Sequence, residues 1–169
     1  MYRAIVVIVA FAVLVPSASA KTDYVIVRDA SIGGFPRNGL VAKAIEVFGT
    51  PAERQIDGDN CRLSWGAHGV VMDTYYLNFG NEGPNPCGPQ GRHKSTTVSD
   101  ERWRTSKGLE IGDPLSKLRT MYPRAQKESP SAWRLTTRRS FGISFPSLEA
   151  RVRRGRVASF IIYGPRTLG

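Results

Sequence analysis

The 169-residue chain contains few of the residues that most catalytic and metal-binding sites require, with only two histidines and two cysteines. His68 and His93 both lie in glycine-rich segments that are predicted to be turns or loops. The sequence has no Gly-x-Ser-x-Gly elbow, no phosphate-cradling glycine loop and no His-Glu-x-x-His pair. We therefore predict no catalytic residue, no cofactor and no metal site, and we expect the protein not to be an enzyme.

Long apolar runs are absent after the first twenty residues. The segment 1–20 has an early cation at Arg3, an apolar run over 4–15 and a small residue at Ala20, which is the pattern of a secretory signal peptide. Crossing a membrane as a helix takes about 20 apolar residues, so this run is too short to serve as an anchor. We predict cleavage near Ala20 and a single secreted domain, periplasmic or extracellular, over 21–169, with no membrane span.

Acidic residues are scarce in the C-terminal part of a chain whose formal net charge is +10. Residues 21–100 contain 8 Lys and Arg against 9 Asp and Glu, whereas residues 101–169 contain 15 against 5. The excess positive charge of the predicted mature domain therefore lies in its C-terminal part. Such an asymmetry favours partners that carry negative charge.

The two cysteines, Cys61 and Cys87, both lie in the predicted secreted domain. Exported proteins fold in an oxidising environment, which favours a disulfide between them. The alternative is a zinc site formed by the two cysteines with His68 and His93. Structural zinc sites usually contain closely spaced ligand pairs such as Cys-x-x-Cys, which this sequence lacks, so the disulfide is the prediction.

Two segments have the pattern of an amphipathic helix that ends at a proline. In "NGLVAKAIEVFGTP", Asn38 can cap a helix whose apolar residues recur at i, i+3, i+4 and i+7 from Val41. In "GDPLSKLRTMYP", Asp113 can cap the helix, Pro114 suits its first position and Pro123 ends it. We expect one short helix in each segment.

Several extended segments surround these helices. "CRLSWGAHGVVMDTYYLNFG" predicts a hairpin with a turn around Gly66 to Gly69, and "SLEARVRRGRVASFIIY" predicts one that turns at Arg154 and Gly155. "DYVIVRD", "STTVSDERWRT" and "SAWRLTTRR" predict single strands, whereas "SIGGFPRNG" and the polar segment before Cys61 predict loops.

This order of elements predicts an α+β fold made of two tandem helix/β-hairpin repeats, at about 38–100 and 108–163. One such unit buries too little apolar surface to be stable alone. Two units side by side can form one antiparallel sheet with the helices packed on one face.

The layout of Gly-Leu, helix, proline and tryptophan-containing strand resembles a known tandem helix-plus-sheet repeat. The β-lactamase inhibitory protein and the small outer-membrane-assembly lipoproteins of the SmpA/OmlA type share this repeat. The resemblance covers about residues 38–163 and implies their fold and a non-catalytic role.

Alternation along the C-terminal strands predicts a basic face on the sheet. Side chains two residues apart on a strand emerge on the same face. A hairpin turning between Arg153 and Arg156 then places three arginines and Phe160 together, and the preceding strand adds two more. The candidate binding residues are Arg134, Arg138, Arg151, Arg153, Arg156 and Phe160.

This basic face has two interpretations. It can be an ordinary solvated face, since antiparallel sheets commonly leave one face in water. It can instead bind anions, since guanidinium groups form paired hydrogen bonds with carboxylates and phosphates. We predict a secreted, non-catalytic interaction module that binds an acidic protein or an anionic envelope polymer. The alternatives are a structural envelope protein without a ligand and a cell-wall hydrolase. Nucleic acid is disfavoured because the chain carries an export signal and lacks stacking aromatics at RNA-binding spacing.

Overall fold

A computed structural model of the protein describes residues 22–76, 85–140 and 142–165. The predicted signal peptide, 1–20, lies outside these residues. The fold is mostly β, with 49% strand and 13% helix. Two α-helices are present in the described ranges, α1 (Val41–Phe48) and α2 (Leu115–Met121). Neither of them has the length and apolarity that a helix needs to cross a membrane.

Eight of the strands form one large antiparallel sheet, in the order β4-β5-β6-β7-β12-β11-β10-β9, and the other four form a small sheet, in the order β3-β2-β1-β8. In chain order the strands are β1 (Val25–Val27), β2 (Ser31–Ile32), β3 (Phe35–Pro36), β4 (Glu53–Asp57), β5 (Asn60–Trp65), β6 (Val70–Tyr75), β7 (Arg92–Val98), β8 (Arg104–Thr105), β9 (Gln126–Lys127), β10 (Ala132–Ser140), β11 (Ile143–Arg153) and β12 (Arg156–Tyr163).

Two strands of the small sheet, β2 and β3, occupy a segment predicted to be a loop, whereas β1 and β8 lie in segments predicted to be strands. Strands β2 and β3 pair antiparallel across Gly33 and Gly34, whose φ angles of 57° and 90° suit a tight turn that glycine adopts without strain. A Cβ atom at Gly33 would lie 2.8 Å from the Trp103 ring, so the absence of a side chain also lets the turn pack closely. Strand β1 pairs with β8 in parallel, which connects this hairpin to the middle of the chain.

One face of the large sheet carries the hydrophobic core. Phe48 of α1 packs on Trp65 of β5 with ring centroids 5.6 Å apart, and Phe35 of β3 packs on His93 of β7 at 5.4 Å. Leu118 of α2 is fully buried in the same core. The small sheet and the two helices therefore cover this face together, and the other face of the large sheet carries mostly polar side chains.

The prediction of two tandem repeats, at about 38–100 and 108–163, with helices covering the sheet is wrong. Only Leu118 is buried from the seven residues of α2, and three residues are buried from α1. Elements this short cannot cover eight strands, and the small sheet supplies cover that the prediction did not include. The structure is a mostly β protein with two short helices.

The predicted helix caps are also wrong. Helix α1 begins after Leu40 and α2 after Pro114, and neither helix has a side-chain cap. Asp113 instead accepts a hydrogen bond from the Glu110 backbone N–H at 2.7 Å, and it forms an ion pair with Lys117.

The predicted disulfide is confirmed. Cys61 of β5 and Cys87 are bonded with their Cα atoms 5.2 Å apart, and both residues are buried. Thr74 of β6 donates a hydrogen bond to the carbonyl of Pro86 at 2.8 Å. Together these contacts fix the segment before β7 against β5 and β6.

Candidate anion-binding site

The C-terminal hairpin turns where the sequence predicted it. Arg153 of β11 pairs directly with Arg156 of β12, so the loop between them has two residues, Arg154 and Gly155. Their φ angles are 51° and 73°, which is the backbone of a type I′ turn. Glycine adopts this conformation freely, whereas an arginine in it is uncommon. We call Arg153, Arg154 and Arg156 the hairpin arginines.

A β-bulge changes the side-chain alternation on β12. Val152 pairs with Val157, but Arg151 pairs with Ser159, so Ala158 is an extra residue on its strand. Beyond this bulge each side chain of β12 faces the side opposite to the one that simple alternation predicts. Phe160 therefore lies opposite Ala150 on the core face and is fully buried.

The prediction of Phe160 as an exposed binding residue is consequently wrong. Ile162, expected beside it on the basic face, is 4% exposed and also lies in the core. Ile161, which pairs with Glu149, occupies the polar face in their place. No exposed apolar strip accompanies the arginines at these positions.

Two of the predicted arginines form ion pairs within the protein. Arg151 Nε lies 2.7 Å from Glu149 Oε1, although the geometry of this contact is not that of a hydrogen bond. Arg134 forms an ion pair with Glu128. The charges of these two arginines are therefore partly compensated, which weakens their attraction for an anionic partner.

Two more of the predicted arginines bind backbone carbonyls. Arg138 donates to the Gly164 carbonyl at 3.0 Å, and its Nε is buried without a hydrogen-bond partner. Arg156 donates to the Gly112 carbonyl at 2.9 Å. Arg153 and Arg154 are exposed and have no partner among the described residues. The structure therefore separates Arg134 and Arg138, whose side chains have other contacts, from the uncompensated charge at the hairpin.

A groove of about 380 Å³ lies beside the hairpin, on the polar side of the bulge. Arg151 and Arg153 line it together with four hydroxyl side chains, and no acidic residue is among its lining residues in the described ranges. The hydroxyl groups belong to Thr97, Ser99, Ser131 and Ser159. Guanidinium and hydroxyl donors around one concave surface can bind the oxygen atoms of a carboxylate or a phosphate. We call this surface the hydroxyl–arginine groove.

Sequence reasoning missed these hydroxyl residues. Thr97 pairs with Ile161 because β7 is the neighbour of β12, and Ser131 accepts a backbone hydrogen bond from Val152 at 2.7 Å. Both contacts join segments that are distant in sequence. The one local signal was at the turn, where Arg154 stands in a position that usually holds Asn, Asp or Gly before Gly155.

The segment that precedes α2 holds the hairpin turn in place. The Gly112 N–H donates to the Val157 carbonyl at 2.8 Å, and the Leu115 N–H donates to the Gly155 carbonyl at 2.9 Å. The Val157 N–H in turn donates to the backbone carbonyl of Asp113 at 2.8 Å. The turn is thus bonded on its outer side as well as along the hairpin. These bonds fix the backbone from which the hairpin arginines project.

Glu149, the ion-pair partner of Arg151, is 6% exposed, and its carboxylate contacts two side chains. The Tyr163 hydroxyl donates to Glu149 Oε2 at 3.1 Å, and Arg151 contacts Oε1. Burial, followed by the nearby Glu149 charge, raises the pKa of Tyr163 to about 12, so the hydroxyl remains a donor at neutral pH. Removing Arg151 would leave a buried carboxylate without its cation, which makes Arg151 a structural residue as well as a groove residue.

The two histidines lie away from this site. The His93 ring nitrogens contact the Arg37 carbonyl at 2.6 Å and the Thr96 hydroxyl at 2.8 Å, and burial lowers the pKa of His93 to about 4. His68 Nδ1 lies 2.8 Å from the Tyr24 hydroxyl. Within the described ranges, no three His, Cys, Asp or Glu side chains cluster as metal ligands.

No protein-family model, no curated protein and no solved structure matches the chain. The resemblance to the β-lactamase inhibitory protein and to the SmpA/OmlA-type lipoproteins therefore stays a prediction. The two-repeat architecture that was expected with it is wrong, as described above.

Proposed function

We propose that the protein is a secreted, non-catalytic binding module that holds an acidic polypeptide against the hairpin arginines and the hydroxyl–arginine groove. The carboxylates of the partner would meet Arg153, Arg154 and Arg156 at the end of the large sheet. The groove beside them would accept a further carboxylate between its hydroxyl groups and Arg153.

The observation that carries the proposal is the combination of two unfavourable local features at one turn. Arg153 and Arg156 are like charges directly opposite each other, which is destabilising in a β-sheet. Arg154 has a left-handed backbone, which is about 1 kcal/mol or more unfavourable for a side chain of this kind. Local departures of this kind are expected at functional sites, where binding compensates for them.

Electrostatic features of the site also support an acidic partner. The hairpin arginines have no acidic partner among the described residues, and the groove lining contains no carboxylate. An uncompensated cluster of positive charge speeds the approach of an anionic partner. Added salt screens this attraction, so the affinity should fall as the ionic strength rises.

Fluorescence anisotropy with a labelled poly-glutamate peptide tests the proposal. We expect wild-type protein to bind the peptide at low ionic strength and to lose affinity as salt is added. The triple change Arg153→Gln, Arg154→Gln and Arg156→Gln should remove binding. Arg151 is left unchanged because its loss would leave the buried Glu149 carboxylate without a cation. That change would lower the stability of the protein for a reason unrelated to binding.

A matched control removes the same number of exposed cations elsewhere, at Arg92, Lys127 and Arg139. If the control variant loses as much affinity as the hairpin variant, general charge explains the binding and the proposal fails. Absence of binding by the wild-type protein at low salt also overturns it.

A further inference from the structure

A second groove, of about 520 Å³, lies along the middle of β10 and carries a denser cluster of cations. It is formed by residues from the β1–β2 connection, the segment after β8, the segment that runs from the end of α2 into β9, and strand β10. Four of its lining residues are cationic and none in the described ranges is acidic. The cations are Arg28, Lys107, Arg124 and Arg134.

Acidic side chains among the described residues compensate for only two of these charges. Arg28 Nε lies 3.1 Å from Asp29 Oδ2, and Arg134 pairs with Glu128. Arg124 is exposed and has no partner among the described residues. An excess of about two positive charges therefore remains on one concave surface, where charges repel each other unless an anion joins them.

Lys107 is held toward the groove by two contacts that do not neutralise its charge. Its ammonium group lies 4.8 Å from the centre of the Tyr122 ring and 3.5 Å from the Met121 carbonyl. A cation over a ring face keeps its full charge and its remaining donors. Thr136 and Thr137 add hydroxyl groups to the same lining.

We propose that this groove binds a compact phosphate-containing anion with at least two charges, such as a pyrophosphate or a phosphate monoester. A carboxylate presents two oxygen atoms in one plane, which a single guanidinium can satisfy. A phosphate presents its oxygen atoms in several directions, which suits guanidinium, ammonium and hydroxyl donors that converge from four segments of the chain. This site does not depend on the acidic partner proposed for the hairpin, because Arg153, Arg154 and Arg156 do not line it.

Isothermal titration calorimetry with pyrophosphate tests the inference on the full domain. We expect saturable binding at one site, weakened about tenfold or more by the double change Lys107→Gln and Arg124→Gln, because each residue supplies a charged donor. Neither residue has an acidic partner in the part of the chain that the structure describes, so their loss should leave the fold intact, which circular dichroism would verify. A control pair, Lys43→Gln and Arg92→Gln, removes equal charge far from the groove and should bind as the wild type does.

A vesicle arm distinguishes a lipid headgroup from a soluble phosphate. Phosphatidylcholine vesicles containing phosphatidic acid should sediment the wild-type protein, and not the Lys107 and Arg124 variant, if the groove accepts a lipid phosphate. Pyrophosphate binding without sedimentation would assign the groove to a soluble ligand and would equally support the site. No pyrophosphate binding at millimolar concentration would overturn the inference, as would unchanged binding by the double variant. Loss of pyrophosphate binding in the hairpin variant alone would place the anion at the first site and also refute it.

Discussion

Arg153 and Arg156 lie directly opposite each other on β11 and β12, immediately before and after the two-residue turn. Side chains in such a pair are close enough to interact, so two positive charges at this point lower the stability of the hairpin. The neighbouring residue, Arg154, adds the strain of a left-handed backbone. A sequence selected for stability alone would place an acid at one of the two facing positions and Asn or Gly at the turn.

The change Arg153→Glu should therefore stabilise the protein while it removes binding. A Glu opposite Arg156 replaces a repulsion by an attraction, and we expect the free energy of unfolding to rise by about 0.5 to 1 kcal/mol. Urea denaturation at low ionic strength measures this change, and poly-glutamate anisotropy measures binding. Arg153→Gln, which only removes the repulsion, should give a smaller rise. A fall in stability for both variants would show that Arg153 makes a favourable contact and would contradict the argument.

The turn residue Arg154 offers an independent test. Asn tolerates a left-handed backbone better than Arg, so Arg154→Asn should raise the free energy of unfolding by about 0.5 to 1 kcal/mol. Arg154→Lys is the matched control, because lysine keeps the charge and has the same backbone restriction, and its stability should equal that of the wild type. If Asn gives no gain over Lys, the turn is not strained at this position.

Sequence reasoning located the hairpin turn correctly and then failed four residues beyond it. Alternation was valid from Arg153 back to Glu149 on β11, but on β12 the extra residue Ala158 inverted every later position. A bulge of this kind leaves no local signal, since Val157, Ala158 and Ser159 are compatible with a regular strand. As a result, Phe160 was predicted on the polar face, where Ile161 lies instead.

Other parts of the fold were missed for different physical reasons. All five residues of β4 are exposed and mostly polar, so the strand has no apolar alternation to detect. Strands β2 and β3 have two residues each, which is shorter than any periodic pattern. The hydroxyl–arginine groove depends on the pairing of β12 with β7. The second groove, which Lys107 and Arg124 line, depends on the packing of α2 near β10. Such non-local neighbours are determined by the whole fold and not by the segments themselves.

The bulge can be tested by comparing adjacent residues of β12. Phe160 is fully buried, so Phe160→Ala should lower the free energy of unfolding by about 3 to 5 kcal/mol. Ile161 is partly exposed on the polar face, so Ile161→Ala should cost about 1 kcal/mol or less. Regular alternation along β12 would reverse the order of these two effects. Urea unfolding of the two variants measures both values, and the reversed order would refute the bulge.

His93 should make the stability of the protein depend on pH. Burial lowers its pKa in the folded protein to about 4, whereas an unfolded histidine titrates near 6.5. Below pH 6.5 the unfolded state therefore binds a proton that the folded state does not bind, so acid favours unfolding. The loss of folding stability begins as the pH falls through 6.5 and is complete once the pH falls below 4. Between about pH 7 and about pH 5 it should amount to about 2 kcal/mol.

A comparison with His93→Gln isolates this contribution from other titrating groups. Glutamine can bond to the Arg37 carbonyl or to the Thr96 hydroxyl but does not titrate, so the variant should lose much less stability over the same pH interval. The interval ends above the usual range of carboxylate titration, and His68, the other histidine, is present in both proteins and cancels in the comparison. Urea unfolding at several pH values gives the two slopes. Equal slopes for wild type and variant would mean that His93 does not retain its low pKa, and the buried, neutral imidazole would have to be abandoned as a feature of the core.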